Sequence, residues 1–112
     1  MNNRYFSDKQ EKNIAKAVKG KKQPNSGATM FRKGDVISDH FLIEAKTVTK
    51  EQTSFMIKKE WLDKLKEEQF AMRKPYSALA FNFGTLENQK NLYIIDERTF
   101  KVFIELLEKE DE

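Results

Sequence analysis

The fold is organised around Gly34-Asp35-Val36-Ile37-Ser38-Asp39-His40-Phe41-Leu42-Ile43-Glu44-Ala45-Lys46. This stretch predicts two short strands joined by a tight polar turn at Ser38-Asp39. Side chains alternate in direction along a strand. One face of the second strand therefore carries Phe41, Ile43 and Ala45, and the other carries Leu42, Glu44 and Lys46. Pairing of the two strands returns Asp35 toward Glu44, since neighbouring strands lie about 5 Å apart. Two carboxylates and one ammonium group are thus predicted to converge.

This convergence is a candidate metal site. Mg²⁺ prefers oxygen ligands and is commonly held by one or two carboxylates, with phosphate and water completing its shell. Asp35 and Glu44 meet that need, and Lys46 is placed to hold or deprotonate the attacking water in metal-assisted phosphodiester hydrolysis. The alternative is structural, because a strand with Glu and Lys two residues apart is ordinarily a solvated, salt-bridged face.

Further motifs of the chain support the interpretation as a metal site by both their order and their spacing. They are Glu11 on an N-terminal helix, Ser26-Gly27 in a basic loop, the Gly34-Asp35-Val36 strand, and a strand ending in Glu44-Ala45-Lys46. The pattern resembles the PD-(D/E)xK nucleases and, among them, the small Holliday junction resolvases of the archaeal and phage kind. The resemblance runs from about Glu11 to Leu107, with Gly34 in place of the usual Pro before the Asp.

The resemblance implies an α/β fold in which a restriction-endonuclease-like mixed β-sheet is flanked by helices. It also implies a Mg²⁺-dependent endonuclease acting on branched double-stranded DNA, with Mn²⁺ as a substitute metal. The implied catalytic residues are Glu11, Asp35, Glu44 and Lys46, and the implied metal-binding residues are Glu11, Asp35, Glu44 and Ala45. Two alternatives stay open: a nicking or repair nuclease of the same fold, and a non-catalytic DNA-binding domain whose acids are structural.

Length and composition limit the protein class. A chain of 112 residues supports a single domain, residues 1–112, and 35% charged residues exclude a membrane-spanning segment. The absence of cysteine excludes a disulfide framework and a thiolate zinc site. No signal-peptide pattern or Gly-rich nucleotide loop is present, so we expect a cytoplasmic protein without a nucleotide cofactor.

The positive charge is concentrated in the front half of the chain. Residues 1–34 hold nine Lys or Arg against two acids, whereas the rest of the chain is net acidic. Such a one-sided field beside a metal site suits a polyanion such as DNA, although a solvated lysine-rich surface has the same composition. The candidate DNA-binding residues are Lys21, Lys22, Ser26, Arg32 and Lys33. The domain thus divides into a basic helix and loop (7–27), a core (28–107) and an acidic tail (108–112).

The other elements follow from capping signals and periodicity. Ser7 and Gln10 form a capping box that predicts a helix from Asp8 to Lys19, which Gly20 ends. Glu11 lies on the apolar stripe of this helix; the alternative role for it is a half-exposed acid favouring the helix N-terminus. The remaining predictions are a strand at Ala28–Phe31, a short strand at Phe55–Ile57, a helix at Lys58–Arg73, a central strand at Tyr76–Phe83, a strand at Leu92–Ile95, and a last helix capped by Asp96 and ending near Glu108.

The last helix has a wider apolar arc than a single packing contact requires, extending from Phe103 to Val102 and Leu106. Resolution of a four-way junction needs paired incisions, and the chain holds one Glu-x-Lys site. We therefore expect a homodimer formed through this arc, with Phe70 as the second choice. The alternative is that the sheet covers all of this surface.

Overall fold

The described part of the chain folds as a mixed sheet with three helices. The computed structural model describes residues 3–23, 35–84 and 90–111. The helices are α1 (Asn3–Val18), α2 (Lys59–Ala71) and α3 (Glu97–Glu110), and the strands are β1 (Lys21–Lys22), β2 (Val36–Ile37), β3 (Phe41–Lys46), β4 (Tyr76–Phe81) and β5 (Leu92–Ile94). Strand order follows chain order, and among these five described strands only β3 and β4 are parallel. The predicted α/β class with a mixed sheet is confirmed, whereas the predicted strand at Ala28–Phe31 lies outside the described residues.

Strands β2 and β3 form the predicted hairpin. Val36 pairs with Ile43, and Ile37 pairs with Leu42. The turn is closed by Ser38, whose backbone N–H donates to the carbonyl of Phe41 at 3.0 Å. The register is the one that returns the residue before β2 to the end of β3.

Strand β4, predicted to be central from its continuous apolar sequence, is an interior strand next to the edge strand β5. It pairs in parallel with β3 and antiparallel with β5, and Leu79 and Ala80 are fully buried. A parallel pair needs a long crossover, and α2 supplies it between β3 and β4. The carboxyl ends of β3 and β4 therefore lie at the same edge of the sheet.

The two faces of the sheet are covered by different helices. Ile14 of α1 packs on Ile43 and Ala78, while Leu65 of α2 packs on Leu42 and Leu79. Neighbouring residues of β3 thus pack into the cores on opposite faces of the sheet, which is the period-2 alternation expected from the sequence.

Helix α1 begins at Asn3, more than one turn before the predicted start at Asp8. The capping-box prediction is wrong, because Ser7 lies inside the helix. Phe6, Gln10 and Ile14 recur every four residues and are 4%, 1% and 0% exposed. Burial of this face extends the helix past the local capping signal. The predicted end is close to the observed one, and a Cβ at Gly20 would collide with the carbonyl oxygen of Ile37.

The predicted strand at Phe55–Ile57 is absent. Phe55 instead inserts its ring between those of Trp61 and Phe81, with a centroid distance of 5.1 Å to Phe81. Side-chain packing holds this segment without a strand partner, because apolar residues can be buried without ladder hydrogen bonds.

Helix α3 is capped as predicted, since the side chain of Asp96 accepts a hydrogen bond from the Thr99 N–H at 2.9 Å. It contacts the sheet at its middle, where Phe103 stacks on Phe41 at 6.2 Å between ring centroids. Further along, Leu106 and Leu107 are 56% and 60% exposed. None of the described helices combines the length and apolar character needed to cross a bilayer.

Candidate active site

The candidate site lies at the carboxyl end of β3, which extends beyond its antiparallel partner β2. Asp35 precedes β2, and its backbone N–H donates to the carbonyl of Ile43 at 3.0 Å. Its side-chain Oδ2 accepts the backbone N–H of Ala45 at 2.8 Å. The Asp35 carboxylate thus occupies the position that a further β2 residue would take beside β3. In a strand the carbonyl of a residue points to the same side as its N–H, so the Ala45 carbonyl also faces this position.

Glu44, a residue of β3, reaches the Asp35 carboxylate with its side chain. Its carboxyl group hydrogen-bonds to Asp35, and its pKa is raised from 4.5 to about 8, first by burial and then by the charge of Asp35. Lys46 opposes this rise. Two carboxyl groups that share a partly buried site cannot both ionise cheaply unless a cation joins them.

Glu11 approaches the pair from α1. Its pKa is raised to about 7, first by burial and then by the charge of Asp35, while Lys22 acts in the opposite direction. Glu11 is therefore electrostatically coupled to Asp35. In the described ranges, however, no three Asp, Glu, His or Cys side chains converge closely enough to hold a metal ion. The structure brings Asp35 and Glu44 into contact and leaves Glu11 as a neighbour.

Lys46 is held between an acid and an aromatic ring. Its Nζ lies 3.9 Å from Glu44 Oε1 and 4.5 Å from the centroid of the Trp61 ring. A cation over an indole face is attracted by the ring quadrupole. The ammonium group is thus oriented beside the carboxyl pair while its side chain remains 31% exposed.

The donor set fits Mg²⁺. Asp35 and Glu44 supply two carboxylates and Ala45 a backbone carbonyl, all at one strand edge. Mg²⁺ is usually held by one or two carboxylates and keeps several waters. The raised pKa of Glu44 is the electrostatic signature of an acid pair that a divalent cation would relieve.

Helix α2 adds an acid to this region that sequence reasoning missed. A cavity of about 180 Å³ is lined by Glu44, Lys46, Trp61, Lys64, Leu65 and Glu68. The side chain of Glu68 is only 14% exposed, and its charge contributes to the raised pKa of Glu44. The sequence feature that could have revealed Glu68 is its spacing. Glu68 follows Trp61 by seven residues and Leu65 by three, which places it on the face that α2 turns toward the sheet.

A buried amide network connects α1 to the end of β3. Gln10 Nε2 donates to the Lys46 carbonyl at 2.8 Å and to Asn91 Oδ1 at 3.1 Å. Asn82, at the end of β4, donates to the same Asn91 oxygen at 3.3 Å. Gln10 therefore fixes the backbone of Lys46 relative to the helix that carries Glu11.

Two of the five candidate DNA-binding residues lie in the described residues. Lys21 and Lys22 form β1 and are exposed, and Lys22 Nζ lies 3.0 Å from Asp8 Oδ1. Because Lys22 also lowers the pKa of Glu11, β1 borders the candidate site at Glu11. Ser26, Arg32 and Lys33 lie outside the described residues.

Comparisons of the chain with protein-family models, with curated proteins and with solved structures gave no significant match.

Proposed function

We propose that the protein is a Mg²⁺-dependent DNA endonuclease of the Holliday junction resolvase type, built on a restriction-endonuclease-like fold. The observation that carries the proposal is the contact between Asp35 and Glu44, with Lys46 3.9 Å from Glu44. Two carboxylates and a lysine at one strand edge are the groups that metal-assisted phosphodiester hydrolysis requires.

In this proposal Asp35, Glu44 and the Ala45 carbonyl would hold the metal, and Glu11 would join them from α1. When bound, the ion would supply positive charge to the phosphate and lower the pKa of a coordinated water. Lys46 would orient the attacking water by donating a hydrogen bond from its ammonium group, which Glu44 and Trp61 hold in place. The proton that this water loses would pass to solvent, because an ammonium group has no lone pair to accept it. Gln10 keeps Lys46 in register through the hydrogen bond to its carbonyl.

DNA is the proposed substrate because the site adjoins the basic front of the chain. Lys22 of β1 lies beside Glu11, and Lys21 is exposed next to it on the same strand, where the two would contact phosphates near the scissile one. Specificity for branched DNA rests on the sequence resemblance. The cytoplasmic location and the lack of a nucleotide cofactor likewise remain predictions from the sequence.

A homodimer is part of the proposal. Phe100, Leu106 and Leu107 of α3 are 55%, 56% and 60% exposed. A two-fold axis beside this surface would bury the same patch on both copies. It would also supply the second active site needed for paired incisions.

A DNA-binding domain with structural acids is the second candidate. The lack of a three-ligand group within the described residues favours it, whereas the two-carboxylate contact favours hydrolysis. A nicking or repair nuclease of the same fold would use the same site, so only the substrate separates it from a resolvase.

The deciding experiment is cleavage of a panel of four-way junction, fork, nicked duplex and linear duplex DNA with Mg²⁺ and with EDTA. The wild type should cut the junction only with metal. Asp35→Asn should abolish cleavage and retain DNA binding, and Lys46→Ala should slow it by roughly 10² to 10⁴-fold. Glu105→Gln, an exposed acid on α3, is the matched control and should cut normally.

Cleavage by Asp35→Asn at the wild-type rate would refute the assigned site. Binding to all four DNAs without cleavage in Mg²⁺ or Mn²⁺ would establish the non-catalytic alternative. Cutting of nicked duplex in preference to the junction would instead indicate a repair nuclease.

A further inference from the structure

A second surface of concentrated charge lies at the other end of the sheet. It is a shallow depression of about 670 Å³ formed by the end of α2, the turn into β4 and the start of α3. Its charged and aromatic lining consists of Lys66, Arg73, Lys74, Arg98, Asp96 and Phe70. Because Phe41 pairs with Tyr76 and Lys46 with Phe81 in the parallel register, the depression lies at the opposite edge from Glu44.

The one acid in this lining is already neutralised. Asp96 Oδ2 lies 2.6 Å from Lys66 Nζ, and Asp96 Oδ1 accepts the N–H and the hydroxyl of Thr99. Three cations remain. Among the described residues, no acid lies within ion-pair distance of Arg73, Lys74 or Arg98. The depression therefore has a net positive charge.

Uncharged partners hold two of these cations in place. Arg98 Nη2 donates to the Pro75 carbonyl at 2.6 Å, and its guanidinium lies 5.3 Å from the Tyr76 ring centroid. Lys74 Nζ donates to the Ser38 carbonyl at 2.8 Å. Carbonyl groups orient a cation without cancelling its charge, and a guanidinium has five N–H donors, so several remain available for an anion.

Phe70 and Arg73 are not explained by the packing of the fold. Phe70 is 87% exposed beside these cations. Arg73 has a φ of 56° at the C-terminal end of α2, in the left-handed region that favours glycine at this position. The backbone conformation therefore gives no preference for arginine at this position.

We propose that this depression binds an unpaired segment of a DNA strand, with its phosphates on Arg73, Lys74 and Arg98 and one base stacked on Phe70. Single-stranded nucleic acids are bound in this way, because cations follow the backbone and every base has a face that can stack on an aromatic ring. The inference extends the proposed function by a second DNA contact. It requires DNA binding and does not require hydrolysis.

Helix α2 connects the two surfaces. Glu68 lines the cavity beside Glu44, and Phe70, two residues further along α2, lines the depression. A branched substrate held at Glu44 could therefore place unpaired nucleotides over Phe70.

The test is fluorescence anisotropy in EDTA, so that no DNA is cut, with labelled oligo-dT and a blunt duplex of equal length. Phe70→Ala should weaken oligo-dT binding at least about fivefold and duplex binding much less, because stacking needs an unpaired base. Arg73→Gly should lower the slope of log K against log salt for oligo-dT by about 0.7. The same substitution relieves the backbone strain, so its melting temperature should equal or exceed that of the wild type.

Lys109→Ala is the matched charge control. It removes one exposed cation from α3 at a position about 17 Å along the helix from Arg98, and it should leave oligo-dT binding unchanged. Unchanged oligo-dT affinity in both Phe70→Ala and Arg73→Gly would overturn the inference. So would a dimer that Phe70→Ala dissociates without loss of DNA affinity, because Phe70 would then be a contact between copies. Oligo-dT binding that depends on Phe70 in a protein without cleavage activity would support this surface and refute the endonuclease.

Discussion

Replacing Glu44 with glutamine should stabilise the metal-free protein at alkaline pH. The pKa of Glu44 rises from 4.5 to about 8 on folding, first because of burial and then because of Asp35. Each pKa unit corresponds to about 1.4 kcal/mol, so ionising Glu44 in the folded protein costs up to about 5 kcal/mol. Glutamine has nearly the same size and can hydrogen-bond to Asp35, yet it has no charge to desolvate.

The raised pKa of Glu44 sets the sign with which the free energy of unfolding depends on pH. The folded protein binds the Glu44 proton more tightly than the unfolded chain does. The stabilising contribution of this proton is therefore complete below about pH 4.5 and is lost as the pH rises through about 8. Glu11, with a pKa of about 7, titrates over an overlapping range in both proteins, so the difference between wild type and Glu44→Gln isolates Glu44.

Urea denaturation at pH 4.5 and pH 8.5 in EDTA measures this difference. The two proteins should have similar free energies of unfolding at pH 4.5, and Glu44→Gln should be several kcal/mol more stable at pH 8.5. Mg²⁺ at pH 8.5 should stabilise the wild type, because binding to the folded state raises the free energy of unfolding. It should have little effect on Glu44→Gln. Parallel pH profiles would show that ionising Glu44 does not strain the fold. Equal stabilisation of both proteins by Mg²⁺ would show that Glu44 is not a metal ligand.

Two further predictions concern DNA affinity and assembly. Combined Lys21→Ala and Lys22→Ala substitutions should weaken binding to every DNA shape alike and lower the slope of log K against log salt by about one per lost contact; an unchanged slope in salt titrations would place the DNA elsewhere. Leu106→Glu should convert a 26 kDa dimer into a folded 13.2 kDa monomer in sedimentation experiments. A junction complex that contains one 13.2 kDa copy of the wild-type protein would exclude paired incision by two copies.

The sequence by itself determined the elements whose signals are local. Alternation along β3 placed Glu44 and Lys46 on one face, and the polar Ser38-Asp39 turn fixed the register that returns Asp35 to Glu44. The Asp96 cap is equally local, since donor and acceptor are three residues apart. Such features depend on backbone geometry over a few residues, so the pattern of residue types is sufficient to predict them.

Tertiary structure decided the features that depend on residues distant in the chain. The start of α1 follows burial of Phe6, which overrides the capping signal at Ser7. Gln10 becomes a link between α1 and β3 only because the Lys46 carbonyl lies 2.8 Å from its Nε2 across 36 residues of chain. Glu68 approaches Glu44 only when α2 packs on the sheet. Burial and electrostatic coupling arise from such long-range contacts, so they have no counterpart in the local sequence pattern.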